Sequence, residues 1–165
     1  MAKLTLKGST IHTSGNLPEK GSIAPDFTLV NAELEHTSLQ DFDHRKKMLY
    51  FVPSFNTPVC GKTIRVYSEM AKEKPDVIFF VISADLPFAQ KNFCTQESIA
   101  NLVVLSTFRS KDFSQNYGIY IVDGPLEGLL ARGFMVLDGE NRVLLSEIVP
   151  EITDEPNFTS AFSLL

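Results

Sequence analysis

Thr57, Pro58 and Cys60 stand close enough to act together. Threonine followed by proline reads as a helix cap and first helical residue, because the hydroxyl can accept a first-turn N–H and proline has none to leave unpaired. Cys60 then lies in that first turn, where unpaired backbone N–H groups and the positive end of the helix dipole favour a thiolate over a thiol. The result is a nucleophile at neutral pH. The Thr57 hydroxyl can donate to the sulfur or to an oxygen bound beside it, and Pro53 can shield the site from water.

The position three after Cys60 is Thr63, so the C-x-x-C of a dithiol exchanger is absent. A lone activated cysteine suits a peroxide: attack on one oxygen gives a sulfenic acid, which a second thiol condenses to a disulfide. Cys94 is the only other thiol in the chain. A zinc site on these cysteines with His12, His36 or His44 lacks ligand spacing, so no metal and no organic cofactor are expected. The plain alternative is that both cysteines are buried as small hydrophobes. Arg132 leaves a similar choice. It precedes an apolar strand, and either pairs with an anion such as the Cys60 thiolate or snorkels to solvent.

These residues need elements to hold them. Residues 48–52 are continuously apolar and stop at Pro53, as a strand buried on both faces does. The helix opened at Thr57 is predicted to run to about Lys74, before Pro75, with Val59, Thr63, Val66 and Met70 on one face and Lys62, Arg65, Glu69 and Lys72 elsewhere. Residues 77–83 form a second buried strand and complete a βαβ unit. A helix over 87–93, a strand over 102–105 and a helix over 110–117 closed by Gly118 follow, with Cys94 placed at the first of these helices. Strands over 133–137 and 142–149 flank Asp138-Gly139-Glu140-Asn141, a hairpin signal, and residues 156–165 read as an amphipathic helix. At the N-terminus, residues 3–7 and 9–13 alternate around Gly8 as a hairpin within 1–14. Residues 27–30 form a short strand, and 34–42 a polar segment leading to a solvated basic patch of His44, Arg45, Lys46 and Lys47. Residues 85–88 read as a turn, and most of the phenylalanines as core. This order implies an α/β, thioredoxin-like fold: a mixed central sheet flanked by helices, with an N-terminal β-hairpin extension, in a single domain over 1–165.

Composition sets the outer limits. The chain has 165 residues with a net charge of -5, the wrong sign for gripping phosphates, so nucleic acid is not an expected partner. Hydrophobic residues make up 44% and charged residues 21%, enough for a core and against disorder. The longest apolar run, 77–82, falls far short of the roughly 18 residues a membrane helix needs. The opening MAKLTLKGST lacks an apolar signal core, so a cytoplasmic protein without membrane contact is expected.

Pro53-Ser54-Phe55-Asn56-Thr57-Pro58-Val59-Cys60 matches the P-x-x-x-[TS]-x-x-C signature of the peroxiredoxins. Nearly the whole chain resembles one subfamily, the bacterial thiol peroxidases, which are atypical 2-Cys peroxiredoxins. The likeness is carried further by Ser83-Ala84-Asp85-Leu86-Pro87-Phe88-Ala89-Gln90, Phe93-Cys94, Leu105-Ser106-Thr107-Phe108-Arg109, Asp123-Gly124-Pro125-Leu126, Ala131-Arg132 and Glu151-Ile152-Thr153. The resemblance implies that Cys60 is the peroxidatic cysteine and Cys94 the resolving cysteine of the same chain. It also implies that Thr57 and Arg132 orient and polarise the peroxide, and that Pro53 lines the pocket. The implied activity is reduction of hydrogen peroxide and organic hydroperoxides through an intramolecular Cys60–Cys94 disulfide, re-reduced by thioredoxin, in a homodimer. Two positions depart from the pattern: Asn56 stands where relatives usually carry Asp, and Thr95 follows Cys94 where they often have Gly. A peroxide-responsive redox sensor or adaptor is the alternative function, separable by slow turnover. A redox-inert domain with two buried thiols is the third, separable by thiol titration.

Overall fold

In the computed structural model, which describes residues 1–165, the chain runs β1 (Lys3–Leu6), β2 (Ser9–His12), β3 (Thr28–Val30), β4 (His36–Ser38), a 3-10 turn (Leu39–Phe42), β5 (Lys47–Phe51), α1 (Pro58–Lys72), β6 (Ile78–Ser83), α2 (Pro87–Gln96), β7 (Val103–Ser106), α3 (Phe113–Tyr117), β8 (Gly133–Leu137), β9 (Val143–Ile148) and α4 (Thr159–Phe162). β1 and β2 pair as an antiparallel hairpin, and the other seven strands form one sheet in the order β4-β3-β7-β6-β5-β8-β9. β5, β6 and β7 are mutually parallel, whereas β3 and β8 join them antiparallel. This is the thioredoxin-like α/β arrangement that the chain order implies, with the hairpin extension in place. No helix is long and apolar enough to cross a membrane.

β5 lies between β6 and β8 and is buried along its whole length. Its side chains alternate between the two faces of the sheet, as the strand repeat requires. Met48, Tyr50 and Val52 join Ile64, Tyr67 and Ala71 of α1 with Phe158 and Ala161 in one core layer. Leu49 and Phe51 join Leu4 and Ile11 of the hairpin with Phe113 and Tyr117 of α3 in the other. Each fully buried side chain of this size contributes roughly 1.5–3 kcal/mol.

Several expectations are corrected. Lys47 is not part of a solvated patch: it opens β5, is fully buried, and donates from Nζ to the Arg45 carbonyl at 2.7 Å. Burial lowers its pKa against the opposing pull of Asp43 and Asp138. The polar segment 34–42 contains β4 and the 3-10 turn, where Asp41 accepts the Ser38 N–H at 2.8 Å. The buried face of α1 carries Cys60, Thr63, Ile64, Tyr67 and Ala71, and Val66 is half exposed. The helix has two apolar stripes, and the sheet takes the one whose Tyr67 hydroxyl reaches the Met48 and Phe80 carbonyls at 2.9 and 3.0 Å.

α2 extends to Gln96, which puts Cys94 in its last turn. α3 starts at Phe113 rather than 110 and still ends at Gly118, whose φ of 60° and close approach to the Asn16 backbone exclude a side chain. α4 spans only four residues. Asn157 Oδ1 accepts the Thr159 N–H and starts the turn there, which leaves Phe158 free to pack against Tyr50, Tyr67 and Phe134.

Candidate active site

The loop from β5 to α1 presents Cys60 at the helix start, fully buried. Thr57 caps the helix as expected, its Oγ1 accepting the Cys60 N–H at 3.2 Å. The hydroxyl proton, however, goes to the Ser54 carbonyl at 3.3 Å and not to the sulfur. Asp85, from the turn after β6, fixes the loop. Its carboxylate accepts from Ser54 Oγ at 2.7 Å, the Phe55 N–H at 2.8 Å and Ser83 Oγ at 2.8 Å, so three groups around one buried turn are satisfied by one side chain. Pro53 is buried just past the end of β5, and Asn56 is exposed with only its N–H bonded, to Ser54 Oγ at 3.2 Å.

Arg132 reaches the site because β8 pairs antiparallel with β5, setting Gly133 opposite Phe51. The residue before it therefore arrives beside the end of β5. Only 2% of Arg132 is exposed, which removes the snorkelling reading. Nη1 donates to Cys60 Sγ at 3.3 Å and to the Tyr50 hydroxyl at 3.1 Å, and Nε donates to the Ile152 carbonyl at 3.0 Å. A guanidinium is tolerated at such depth only when paired in this way. Burial alone would lower its pKa, but Tyr50 and Cys60 outweigh burial and the value is raised. Burial also raises the pKa of Tyr50, more than the charge of Arg132 lowers it, so that ring stays neutral.

Cys94 is partly buried and lies in the same apolar layer as Cys60, and both are free thiols. Burial pushes the Cys94 thiol up to about 11. Phe93 links the two segments: its ring meets Phe55 edge-on at 5.3 Å between centroids, and a Cβ on Gly61 would stand 3.5 Å from it. Cys94 also lines a cavity of about 500 Å³ with Gln90, Lys91, Ile99 and Val104.

The structure thus brings Cys60, Thr57 and Arg132 together, sets Pro53 just past β5 and holds Cys94 against the same apolar layer as Cys60. Sequence reasoning passed over Tyr50, Thr63 as a bonding group, Asp85 as an anchor and the Ile152 carbonyl. Tyr50 alone carried a signal, because a tyrosine inside a strand buried on both faces needs a partner for its hydroxyl.

A family model described as Redoxin matches residues 19–162. A thiol peroxidase of Leptospira interrogans is 45% identical, with 99% of this chain and 96% of the relative aligned. The crystal structure of a peroxiredoxin-like protein from Aquifex aeolicus superimposes with a TM-score of 0.93 at 34% identity, covering 99% of this chain and 95% of that one. A thiol peroxidase from Chromobacterium violaceum, at 24% identity, shares the fold with a TM-score of 0.91 over 98% of this chain and 94% of its own.

Proposed function

The chain belongs to the Redoxin family, among its thiol peroxidases, and on that premise we propose that Cys60 is the peroxidatic cysteine and Cys94 the resolving cysteine of one catalytic cycle. The Cys60 thiolate attacks an oxygen of the hydroperoxide. The S–O bond forms as the O–O bond breaks, and the leaving oxygen takes a proton to depart as water or an alcohol. The Cys94 thiol then displaces water from the Cys60 sulfenic acid and closes a disulfide. Two thiols of thioredoxin reduce that disulfide by exchange and are themselves oxidised.

The observation that carries this reading is the Arg132 Nη1 donor 3.3 Å from Cys60 Sγ in a nearly closed site. It holds positive charge where the sulfur becomes an anion and where the peroxide oxygens must gather negative charge. The Nη2 donors make no hydrogen bond to protein and serve the bound peroxide. Thr57 supplies a second donor, its bond to the Ser54 carbonyl, 3.3 Å, being long enough to yield. Pro53 keeps water from the pocket. Hydrogen peroxide and organic hydroperoxides are both substrates.

A disulfide needs Cα atoms within about 7 Å in strict geometry. If the two Cα atoms stand farther apart than that in the reduced fold, the first turn of α1 and the last turn of α2 must loosen for the bond to close. Exposed Leu86, Phe88 and Phe108 lie at the C-terminal ends of β6 and β7 and offer an apolar face to a second copy in a homodimer. The free thiols suit the reducing cytoplasm.

One equivalent of hydrogen peroxide followed by peptide mapping tests the cycle. The expected product joins the peptides of Cys60 and Cys94, and thioredoxin restores both thiols over many turnovers. A sulfenic acid at Cys60 with no joined peptide would remove Cys94 from its role. A disulfide that thioredoxin does not turn over would favour the sensor.

A further inference from the structure

The Tyr50 hydroxyl has no part in the cycle above, yet it is buried against both the guanidinium and the helix that carries the nucleophile. Counting protons fixes the direction of its bonds. Thr63 Oγ1 stands 2.9 Å from the Val59 carbonyl and 3.1 Å from the Cys60 carbonyl, and carbonyls only accept, so the single Thr63 proton points to them. The Tyr50 hydroxyl, 2.8 Å from Thr63 Oγ1, must then be the donor in that pair. Its free lone pair faces Arg132 Nη1 at 3.1 Å and accepts from it. A one-way chain results: Arg132 to Tyr50, Tyr50 to Thr63, Thr63 to the first-turn carbonyls of α1. Bonds aligned head to tail in a dry interior polarise and strengthen one another.

We infer that Tyr50, with Thr63 behind it, is a positioning residue for peroxide reduction that sets the rotation of the Arg132 guanidinium. This rests on the reading of Arg132 as the group that stabilises the reacting oxygens. Nη1 has two protons. One is taken by Tyr50 and the other by the Cys60 sulfur, which leaves the Nη2 protons without a protein acceptor and free for the peroxide. Without the Tyr50 acceptor the guanidinium keeps only the Ile152 carbonyl and the sulfur as fixed points. Thr63 also occupies the position where a dithiol exchanger would hold its second cysteine. Here that position ties the helix to the guanidinium through the β5 strand.

Tyr50→Phe deletes the hydroxyl and keeps the ring that packs on Tyr67 and Phe158. Quenched-flow oxidation by hydrogen peroxide, with the sulfenic acid trapped and counted, is expected to slow roughly tenfold to a hundredfold, the range for losing one hydrogen bond to a charged group. Thr63→Val breaks the chain from its other end and is expected to slow the same step less. It also serves if Tyr50→Phe melts early.

Two readouts separate positioning from a merely structural role. Placed on Arg132→Met, Tyr50→Phe is expected to add no further slowing, because its effect passes through the guanidinium. Nitrogen-15 spectra of the Arg132 side chain are expected to show restricted Nη resonances in wild type and averaged ones in Tyr50→Phe. Oxidation at the wild-type rate in both folded variants would overturn the inference. So would a slowing of equal size in the Arg132→Met background. Loss of activity in Arg132→Met itself tests the earlier reading independently, since an unchanged rate there would sink that reading whatever Tyr50 does.

Discussion

The Thr57 hydroxyl caps α1 and, on the proposed reading, also donates to the reacting oxygen. Thr57→Val keeps the shape and removes the acceptor of the Cys60 N–H, so the protein is expected to lose about 1 kcal/mol of stability in denaturant unfolding. Peroxide reduction is expected to fall far more, by roughly tenfold or greater, because the proposed second donor to the reacting oxygen goes with it. An unchanged rate would leave Thr57 a cap and nothing else. Cys94 makes a prediction with a pH window. Its folded pKa is raised by burial to about 11. The folded state therefore holds this proton more tightly, and the associated stability is intact below the ordinary thiol range and is lost as pH climbs toward 11. Unfolding midpoints measured from pH 8 to 11 are expected to fall less steeply in Cys94→Ser than in wild type; parallel curves would refute the burial argument. Cys60 and Thr57 were legible because a cap and a thiol three residues apart imply one local geometry. Tyr50 was legible only in part, because a tyrosine in a buried strand signals that its hydroxyl needs a partner but not that the partner is Arg132.

Elements were legible where one local rule acted alone. Pro58 after Thr57 opens α1, Pro87 opens α2 and Gly118 closes α3 at its left-handed turn, all as the sequence indicates. The buried face of α1 was misread, since Val59, Val66 and Met70 form as good an apolar stripe as Cys60, Ile64, Tyr67 and Ala71. Only the sheet opposite decides between them. Ile64→Ala is therefore expected to cost about 2–5 kcal/mol by leaving a cavity against β5, whereas Val66→Glu on the exposed side should move stability by about 0.5 kcal/mol or less. Equal effects in thermal melts would show that the helix is turned the other way. α4 was overextended for a related reason: its apolar residues had the right spacing, but Asn157 starts the turn late and Phe158 leaves the helical path to fill the gap above Tyr50.

At the scale of the whole chain, the least legible feature is how the two ends meet. Thr5 donates its N–H to the Pro150 carbonyl at 2.8 Å and accepts the Ile152 N–H at 2.9 Å. Glu151 takes the Lys7 and Gly8 N–H groups and the Thr5 and Thr153 hydroxyls. Those hydrogen bonds, first among them that from Thr5, pull its pKa down to about 2. A depressed carboxylate contributes stability that is present above the ordinary Glu range and fades as pH falls from there toward 2. Glu151→Gln is expected to flatten the acid unfolding curve between pH 4.5 and 2; a curve of unchanged slope would show that the hairpin is held by its strands alone. No local pattern announces this clamp, since both partners are ordinary in their own segments and meet across more than 140 positions.

The same junction sets a timetable. Arg132 lies 72 positions after Cys60, and its anchor, the Ile152 carbonyl, a further 20 along. A ribosome makes Cys60 well before the residues that surround it in the folded chain. Throughout that interval the nascent chain carries Cys60 without its guanidinium, and the site is assembled only when the segment after β9 has emerged and met β1. Synthesis order thus leaves the Cys60 sulfur uncovered and without its guanidinium until the finished fold buries the two together.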